Sequence, residues 1–389
     1  MDRFRSTTTD NWLDDPYPSR AFQRVREFGP SARVANDSGV ISELPVDPRE
    51  LGGVELEAAD GTTITVDEQF AASNGEGLVV LKDGVIVYER YRNGMTARTP
   101  HLCMSVTKSF VGAMLGIQVG KGLVAMDQLV TDLAPQFVGS SLEGANVRHL
   151  IDMTAGTEFV EDYELYADPE ADNPLMEYER QASYRRLGGR KPLGMYGHFH
   201  TYPKSREHGA NFDYRSVLTN IVARIVENVT EQRFVDALAE QLWVPLGMEH
   251  EADMLLDVVG DAVVDGGLSC STRDLARFAL AYQRDGQGVI PAAWVEDTRH
   301  GDETAIRNFA ESPTMTNVER GGWSMYRNAL WVIERDTRYT GSGIYGQHCF
   351  VDHPNRVVVA RFSTYPVAYP AEQWNETMRA IIALSDALA

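Results

Sequence analysis

The sequence has little cysteine, a deficit of positive charge and no long apolar run, and each absence excludes a class of protein. Its three cysteines are too few for a disulfide framework, and their number is odd. No Cys/His spacing typical of a zinc site is present. Lysine and arginine total 36 against 56 acidic residues, and the net charge of −20 argues against nucleic acid or an anionic membrane as partner. No run is apolar and long enough to predict a membrane-spanning helix.

What is present is typical of a globular protein of enzyme size. Hydrophobic residues make up 43% of the 389 residues and charged residues 24%, which is enough to build a core and too apolar for a disordered chain. The length predicts two packed lobes. The first residues lack the apolar stretch of a signal peptide, so we expect a soluble, cytoplasmic, reduced protein. We expect a small-molecule substrate and no cofactor, and a homodimer stays open.

Strand patterns lie at both ends of the chain, and helical patterns lie between them. Two β-branched runs, 78–81 and 85–88, flank an Asp-Gly turn typical of a hairpin. Further strand-like segments are 328–334, 346–351 and 356–362, followed by a helix from about 372 to 388. The pattern predicts an α/β fold of the α+β type, with an antiparallel sheet flanked by helices and an inserted all-helical lobe.

This arrangement divides the chain into an extension and two domains. The predicted parts are an N-terminal extension over 1–50, a discontinuous α/β domain over 51–140 and 265–389, and a helical domain over 141–264. Proline, serine and charged residues dominate the extension, so we expect irregular structure there. The helical domain carries a long loop insertion at 157–213, and long ordered loops are often functional.

Ser105 and Lys108 are the first catalytic candidates. They lie three residues apart where a densely apolar helix begins, so the hydroxyl and the amine share a face. A serine needs a base to become a nucleophile, and burial can lower the pKa of a lysine enough to provide one. The unpaired N–H of Ser105 in the first turn can form half of an oxyanion hole. The alternative is a helix-capping serine followed by a surface lysine.

The order of these features resembles the penicillin-binding and class C β-lactamase superfamily. The hairpin, the Ser-x-x-Lys pair opening a buried helix, Gly-Lys-Gly-Leu and Val-Arg-His-Leu-Ile-Asp-Met-Thr-Ala-Gly follow one another as in that superfamily. The chain also resembles the 6-aminohexanoate-dimer (nylon-oligomer) hydrolases in particular. The shared stretches are Met-Ser105-Val-Thr-Lys108-Ser, Glu161-Asp-Tyr163, Phe212-Asp-Tyr214, 266–277 and 341–347.

The resemblance implies roles for Tyr214 and Ile344. In these families a tyrosine of the helical lobe completes the site, usually as Tyr-x-Asn, and here Ser216 replaces the asparagine. A phenol beside a lysine ammonium is expected to ionise more easily and to relay a proton to the leaving group. The Gly341-Ser-Gly343 stretch corresponds to the Lys-Thr-Gly strand of β-lactamases, and the N–H of Ile344 is then the second oxyanion donor. The missing lysine argues against β-lactam substrates.

The same resemblance implies substrate contacts for four more residues. Tyr163 would hydrogen-bond the leaving amine, Asp265 would be a polar group near the site, and Trp331 would wall an apolar acyl pocket. Glu177 corresponds to a carboxylate for an ammonium end of the substrate. Each also fits a structural alternative, such as a loop tyrosine or a strand tryptophan.

The histidines at 198, 200 and 208 raise the alternative of a metal site, but loop hydrogen bonding explains them better, and we expect no metal.

Together, the Ser-x-x-Lys pair and the resemblance predict hydrolysis of an amide or ester of a small linear substrate through a Ser105 acyl-enzyme. Lys108 is the base and Tyr214 the proton relay. The alternatives are a β-lactamase-like carboxylesterase, a β-lactamase or D,D-peptidase, and a non-catalytic binding protein on the same fold.

Overall fold

A computed structural model describes residues 7–37, 39–167, 172–313 and 322–389. Parts of the predicted N-terminal extension (1–6 and 38) and of the loop insertion (168–171) lie outside the described residues. The strands are β1 Ser31–Val34, β2 Glu55–Glu57, β3 Thr63–Thr65, β4 Gly75–Lys82, β5 Val85–Tyr91, β6 His101–Leu102, β7 Ala252–Leu255, β8 Leu268–Cys270, β9 Met325–Arg327, β10 Leu330–Glu334, β11 Arg338–Gly343, β12 Gln347–Asp352 and β13 Val357–Ser363.

Helices separate these strands along the chain. The α-helices of the described residues are α1 Pro18–Ala21, α2 Val66–Ala72, α3 Thr107–Gly120, α4 Val130–Leu133, α5 Val147–Ile151, α6 Pro174–Gln181, α7 Gly194–Phe199, α8 Ser216–Thr230, α9 Phe234–Leu238, α10 Thr272–Gln283, α11 Ala292–His300, α12 Glu303–Ala310 and α13 Ala371–Asp386. Short 3₁₀ turns cover Val25–Glu27, Met104–Val106, Pro135–Phe137 and Tyr163–Ala167, and a π turn covers Ala239–Trp243. None of the described helices has the length and apolar character that crossing a bilayer requires.

The main sheet joins the two ends of the chain, as predicted. Within the described residues it has seven antiparallel strands in the order β5-β4-β13-β12-β11-β10-β9. Strand β4 from the N-terminal part pairs with β13 from the C-terminal part, with Val80 opposite Val359. Both residues are buried, so the sheet centre lies within the core. A second sheet of described residues has the order β1-β7-β8-β6, and the chain runs from the end of β6 at Leu102 into the turn that contains Ser105.

The prediction of irregular structure for 1–50 is wrong for β1. Ser31–Val34 pairs antiparallel with Ala252–Leu255, and the guanidinium of Arg26 holds the Asp253 carboxylate at 2.7 Å. Four residues with two polar side chains give no readable strand pattern, and the partner lies more than two hundred residues further along the chain. The loop insertion likewise contains two helices, α6 and α7.

Helix α3 lies at the junction of the main sheet and the helical lobe. Two glycines let it approach its neighbours closely, because a Cβ on Gly112 would lie 2.3 Å from the Asn328 carbonyl oxygen and one on Gly116 would lie 2.6 Å from the Trp294 ring. Phe110 stacks on Phe278 at 3.7 Å between ring centroids. An apolar helix packed on all sides is a buried helix, so its first turn carries Lys108 into the interior, just after the 3₁₀ turn that contains Ser105.

Candidate active site

Ser105 lies on a strained turn that precedes α3. The residue before it, Met104, has φ +46°, a left-handed conformation that costs free energy for a side chain of this size. The backbone N–H of Cys103 donates to the Leu268 carbonyl at 2.8 Å, which ties the turn to β8. The Ser105 side chain is half-buried and lines a cavity, so the turn presents its hydroxyl to a substrate.

Lys108 is placed to act on the Ser105 hydroxyl. Its Nζ lies 2.8 Å from Ser105 Oγ and 2.5 Å from the backbone carbonyl oxygen of Asp265. The side chain is 1% exposed. Burial lowers the pKa of Lys108, and the carboxylates of Asp265 and Glu161 partly oppose this shift. The shift increases the neutral fraction of the amine, which is the form that can accept a proton.

Tyr214 faces the same pair from the segment just before α8. The Lys108 Nζ lies 5.3 Å from the centroid of its ring. Desolvation raises the pKa of Tyr214 well above its usual value, Tyr326 and Glu161 add to the rise, and a hydrogen bond with Ser105 opposes it. The prediction that this phenol ionises more easily is therefore wrong, because burial, Tyr326 and the Glu161 carboxylate together raise its pKa. A phenol with a raised pKa is suited to donating a proton.

Glycine at position 343 brings β11 against the nucleophile turn. A Cβ there would lie 2.8 Å from the Cys103 carbonyl oxygen and 2.9 Å from the Ser105 amide nitrogen. The next residue, Ile344, lines the cavity, and its backbone N–H has no acceptor among the described residues. The amides of Ser105 and Ile344 thus lie on adjacent backbone segments at the cavity wall, the arrangement an oxyanion hole needs.

Glu161 organises this wall, although sequence patterns assigned it no role of its own. Its carboxylate accepts hydrogen bonds from the Ser216 backbone N–H at 2.6 Å, the Ser216 hydroxyl at 2.7 Å and the Tyr163 hydroxyl at 2.6 Å. Ser216 is the first residue of α8, where the helix dipole favours a negative charge. The signal available in the sequence was the shared Glu161-Asp-Tyr163 stretch together with Ser216 in place of the family asparagine. The contact between Glu161 and Ser216 fixes the start of α8 and hence the position of Tyr214, two residues earlier.

The cavity around Ser105 has a volume of about 1020 Å³ and an aromatic wall. Trp331 lies in this wall and stacks on Tyr214, with ring centroids 5.4 Å apart and an interplanar angle of 21°. Trp323 packs edge-on against Trp331 at 5.1 Å. The N-terminal segment also contributes, because Leu13 lines the cavity. No sequence pattern points to Leu13, since nothing local connects it to Ser105.

A small recess of about 40 Å³ extends behind Ser105 and contains Asp265. Asp265 is 5% exposed, and its Oδ1 atom has no hydrogen-bond partner among the described residues. Burial raises the pKa of Asp265, and Lys108 opposes the rise. Tyr163 borders the same recess. The recess has room for about one small polar group, on the scale of a water molecule.

Glu177 lines neither the cavity around Ser105 nor the small recess. Its carboxylate lies 2.7 Å from the Arg190 guanidinium and accepts a hydrogen bond from Gln181 at 2.9 Å. These contacts place its oxygens against cationic and amide groups of the protein, so the structure does not bring Glu177 to the cavity where it could meet a substrate ammonium.

The three loop histidines have separate partners. His208 accepts from the Gly156 N–H at 2.9 Å through Nδ1, His198 packs edge-on against Tyr202, and His200 stacks on Phe137. Among the residues described, no three histidine, cysteine or acidic side chains form a group that could hold a metal ion.

Known proteins share this sequence pattern and this fold. A sequence profile of the Beta-lactamase family matches residues 65–380. The 6-aminohexanoate-dimer hydrolase of Paenarthrobacter ureafaciens is 28% identical over 364 residues, covering 92% of this chain and 88% of that protein. These matches confirm the resemblance on which the site residues were chosen.

Solved structures agree with the predicted fold class. A Bacillus anthracis protein provisionally named 6-aminohexanoate-dimer hydrolase superimposes with a TM-score of 0.88 at 22% identity, covering 99% of this chain and 97% of that one. A D-stereospecific amidohydrolase from Streptomyces sp. has a TM-score of 0.59 at 15% identity, covering 79% and 96%. The mixed fold of helices and antiparallel sheets is therefore confirmed.

Proposed function

Because the chain belongs to the beta-lactamase family and is a hydrolase, we propose that it cleaves an amide or ester bond of a small linear substrate through an acyl-enzyme on Ser105. One observation carries this proposal: the buried Lys108 amine lies 2.8 Å from the Ser105 hydroxyl. A buried amine with a lowered pKa next to a serine is the arrangement that activates the serine as nucleophile. Tyr214, Ile344 and the cavity complete the chemistry.

Acylation begins when neutral Lys108 takes the hydroxyl proton as Ser105 Oγ attacks the substrate carbonyl carbon. The carbonyl oxygen gains negative charge, and the N–H groups of Ser105 and Ile344 donate to it. When the tetrahedral intermediate collapses, Tyr214 gives its proton to the leaving amine or alcohol. The phenolate then recovers a proton from the Lys108 ammonium, so the serine proton has in effect passed to the leaving group.

Deacylation follows the same relay in reverse. Water attacks the ester carbon of the acyl-enzyme and loses a proton to the basic group of the Lys108–Tyr214 pair. The oxyanion forms again in the same hole. Ser105 Oγ leaves with the returned proton, and the carboxylic acid product is released.

The cavity supports a linear substrate with apolar segments. Its wall contains Tyr214, Trp331 and Trp374, which pack well against methylene chains. Tyr163 borders the nucleophile and would hydrogen-bond the leaving amine, and Asp265 in the recess would contact a polar group of the substrate. The relative from P. ureafaciens carries the name 6-aminohexanoate-dimer hydrolase, which supports a linear amide. Residues 341–343 are Gly-Ser-Gly, so the lysine of the Lys-Thr-Gly motif of β-lactamases is absent, which disfavours β-lactams as substrates.

Two variants and two substrates test the proposal. We expect Ser105→Ala to keep its fold and to lose turnover of both a 4-nitroanilide and a p-nitrophenyl ester with the same acyl group. We expect Tyr214→Phe to lose about 10²–10⁴-fold on the anilide and clearly less on the ester, because a leaving amine needs a proton more than a phenolate does. Wild-type rates in Ser105→Ala would refute the acyl-enzyme. Equal losses on both substrates in Tyr214→Phe would refute its role as acid for the leaving group.

A further inference from the structure

The turn that carries Ile344 is held in an unfavourable conformation. In the four-residue turn 343–346, the Gly346 N–H donates to the Gly343 carbonyl at 3.2 Å. Its third residue, Tyr345, has φ +62°, a left-handed value that favours glycine or asparagine. A tyrosine there persists only when surrounding contacts over-determine the turn. The conformation of this turn decides where the Ile344 N–H points.

The phenol of Tyr345 supplies one such contact, and it reaches far along the chain. Its hydroxyl donates to the backbone carbonyl of Leu13 at 3.0 Å. The side chain is 2% exposed, and its ring packs edge-on against Phe22 at 5.2 Å. A buried phenol whose hydrogen bond is lost leaves both its own group and the carbonyl unsatisfied. The turn is therefore tied to the N-terminal segment.

The Leu13 carbonyl is itself fixed by the residue before it. Trp12 is 1% exposed, and its indole N–H donates to the Tyr184 carbonyl at 2.7 Å. The indole stacks between Phe28 at 5.9 Å and Tyr184 at 6.3 Å. Large stacked aromatic rings hold a backbone segment with little freedom. Trp12 and Leu13 precede the family match, which begins at residue 65.

We propose that the N-terminal segment Trp12–Leu13 is part of the catalytic apparatus: it clamps Tyr345, and Tyr345 acts as a positioning residue that aims the Ile344 N–H at the oxyanion. The proposal rests on the proposed acyl-enzyme at Ser105 and on Ile344 as an oxyanion donor. It assigns a function to a segment that precedes the family profile match. The Tyr345 hydroxyl is engaged by the Leu13 carbonyl, so Tyr345 is proposed to act through the backbone of its neighbour.

Tyr345→Phe removes the tethering hydroxyl and keeps the ring. Removing an oxyanion donor outright costs about 10²–10³-fold, so a donor that is only misaimed should cost about tenfold in kcat with KM unchanged. The affinity for phenylboronic acid should fall by the same factor, because its adduct on Ser105 places an oxygen in the hole. Trp12→Phe keeps an aromatic ring but loses the bond to Tyr184, and it should show the same pair of losses.

Tyr339→Phe is the matched control. Tyr339 is also buried on the same sheet, and its hydroxyl donates to the Tyr282 backbone carbonyl at 3.2 Å, but it does not line the cavity. We expect Tyr339→Phe and Tyr345→Phe to lose similar melting temperature, whereas only Tyr345→Phe loses kcat and boronate affinity.

The possible results separate this proposal from the proposed function. Wild-type kcat and boronate affinity in Tyr345→Phe, with Ser105→Ala inactive, would overturn the clamp alone. Equal kinetic losses in both tyrosine variants would also overturn it, because the effect would then be general destabilisation. An active Ser105→Ala would instead overturn the acyl-enzyme on which the clamp depends.

Discussion

Lys108 is the residue whose chemistry depends most on its surroundings. In water its ammonium form would dominate at neutral pH, and a charged lysine cannot take the proton of Ser105. Burial lowers its pKa, and the contacts with Ser105 Oγ and the Asp265 carbonyl hold the amine in place. The proposed mechanism therefore needs a lysine that can lose its proton, and a positive charge alone is not sufficient.

Lys108→Arg tests this requirement. Arginine keeps the charge and a similar length, but it does not deprotonate at working pH. We expect kcat/KM to fall at least about 10²-fold, the lower end of the general-base range. Lys121→Arg, at the exposed end of α3, is the control and should keep its activity. Retention of most activity in Lys108→Arg would mean that the lysine supplies charge only.

Asp265 is expected to influence the pH range over which Lys108 can act as the proposed base. Its carboxylate favours the ammonium form and so raises the pKa of Lys108 against the effect of burial. Activity that needs neutral lysine rises with pH through that pKa, so removing the carboxylate should move the rising limb of kcat/KM to lower pH. We expect this shift in Asp265→Asn and none in Asp127→Asn, an exposed control. An unchanged limb in Asp265→Asn would contradict the coupling.

At the scale of elements, the site depends on how closely β11 approaches the nucleophile turn. Only a glycine at 343 allows it, because a Cβ would lie within 3 Å of two backbone atoms, the Cys103 oxygen and the Ser105 nitrogen. Backbone atoms cannot rotate away as the end of a side chain can. A methyl group at this position must separate the two proposed oxyanion donors.

We therefore expect Gly343→Ala to lose about 10²-fold or more in kcat, because one oxyanion donor is displaced. Gly53→Ala is the matched control, since no atom of the described residues, chain neighbours aside, lies within 4 Å of the position that its methyl group would take, and its backbone φ is not positive. Gly53→Ala should change neither kcat nor stability appreciably. Full activity in Gly343→Ala would show that the two strands do not form the hole.

Local patterns predicted those elements whose signals are local. The Asp-Gly hairpin became β4 and β5, and the Ser-x-x-Lys pair lies where α3 begins, as the sequence suggested. Features built from distant contacts were not predictable. The pairing of β1 with β7 joins segments more than two hundred residues apart, and Glu161 meets Ser216 across 55 residues.

The direction of the Tyr214 pKa shift could not be predicted from the sequence either. The lysine three residues after Ser105 was visible, and it alone would favour the phenolate. Desolvation and the nearby Glu161 depend on packing of the loop against α8, and they reverse the sign. Burial is a property of the folded chain, so pKa arguments from sequence spacing omit their largest cause.

At the scale of the whole molecule, the cavity carries the same sign of charge as the protein. Seven carboxylates and one arginine line it among the described residues, and that arginine is paired with one of the carboxylates. The charged lining residues are Asp14, Asp15, Glu158, Glu161, Asp162, Glu164, Asp213 and Arg215. A cleft lined by one sign of charge focuses the field of the net charge of −20.

This field should make turnover depend on substrate charge and salt. The mono-4-nitroanilide of a dicarboxylic acid is an anion, and we expect its kcat/KM to be low and to rise with salt. The 4-nitroanilide of an ω-amino acid is a cation, and we expect its kcat/KM to fall with salt. The range from about 0.01 M to about 1 M shortens the Debye length from about 30 Å to about 3 Å and should capture the change. A neutral anilide is the control. Identical salt profiles for all three would contradict the electrostatic account.

The central claim is the covalent intermediate on Ser105, and trapping it tests that claim most directly. Acid quenching during steady-state hydrolysis of a p-nitrophenyl ester, followed by intact-mass and peptide mass spectrometry, measures where the acyl group resides. We predict one acyl group per chain on the peptide that contains Ser105, and none in Ser105→Ala. An acyl group on another residue, or continued turnover by Ser105→Ala with no acylated species, would contradict the account.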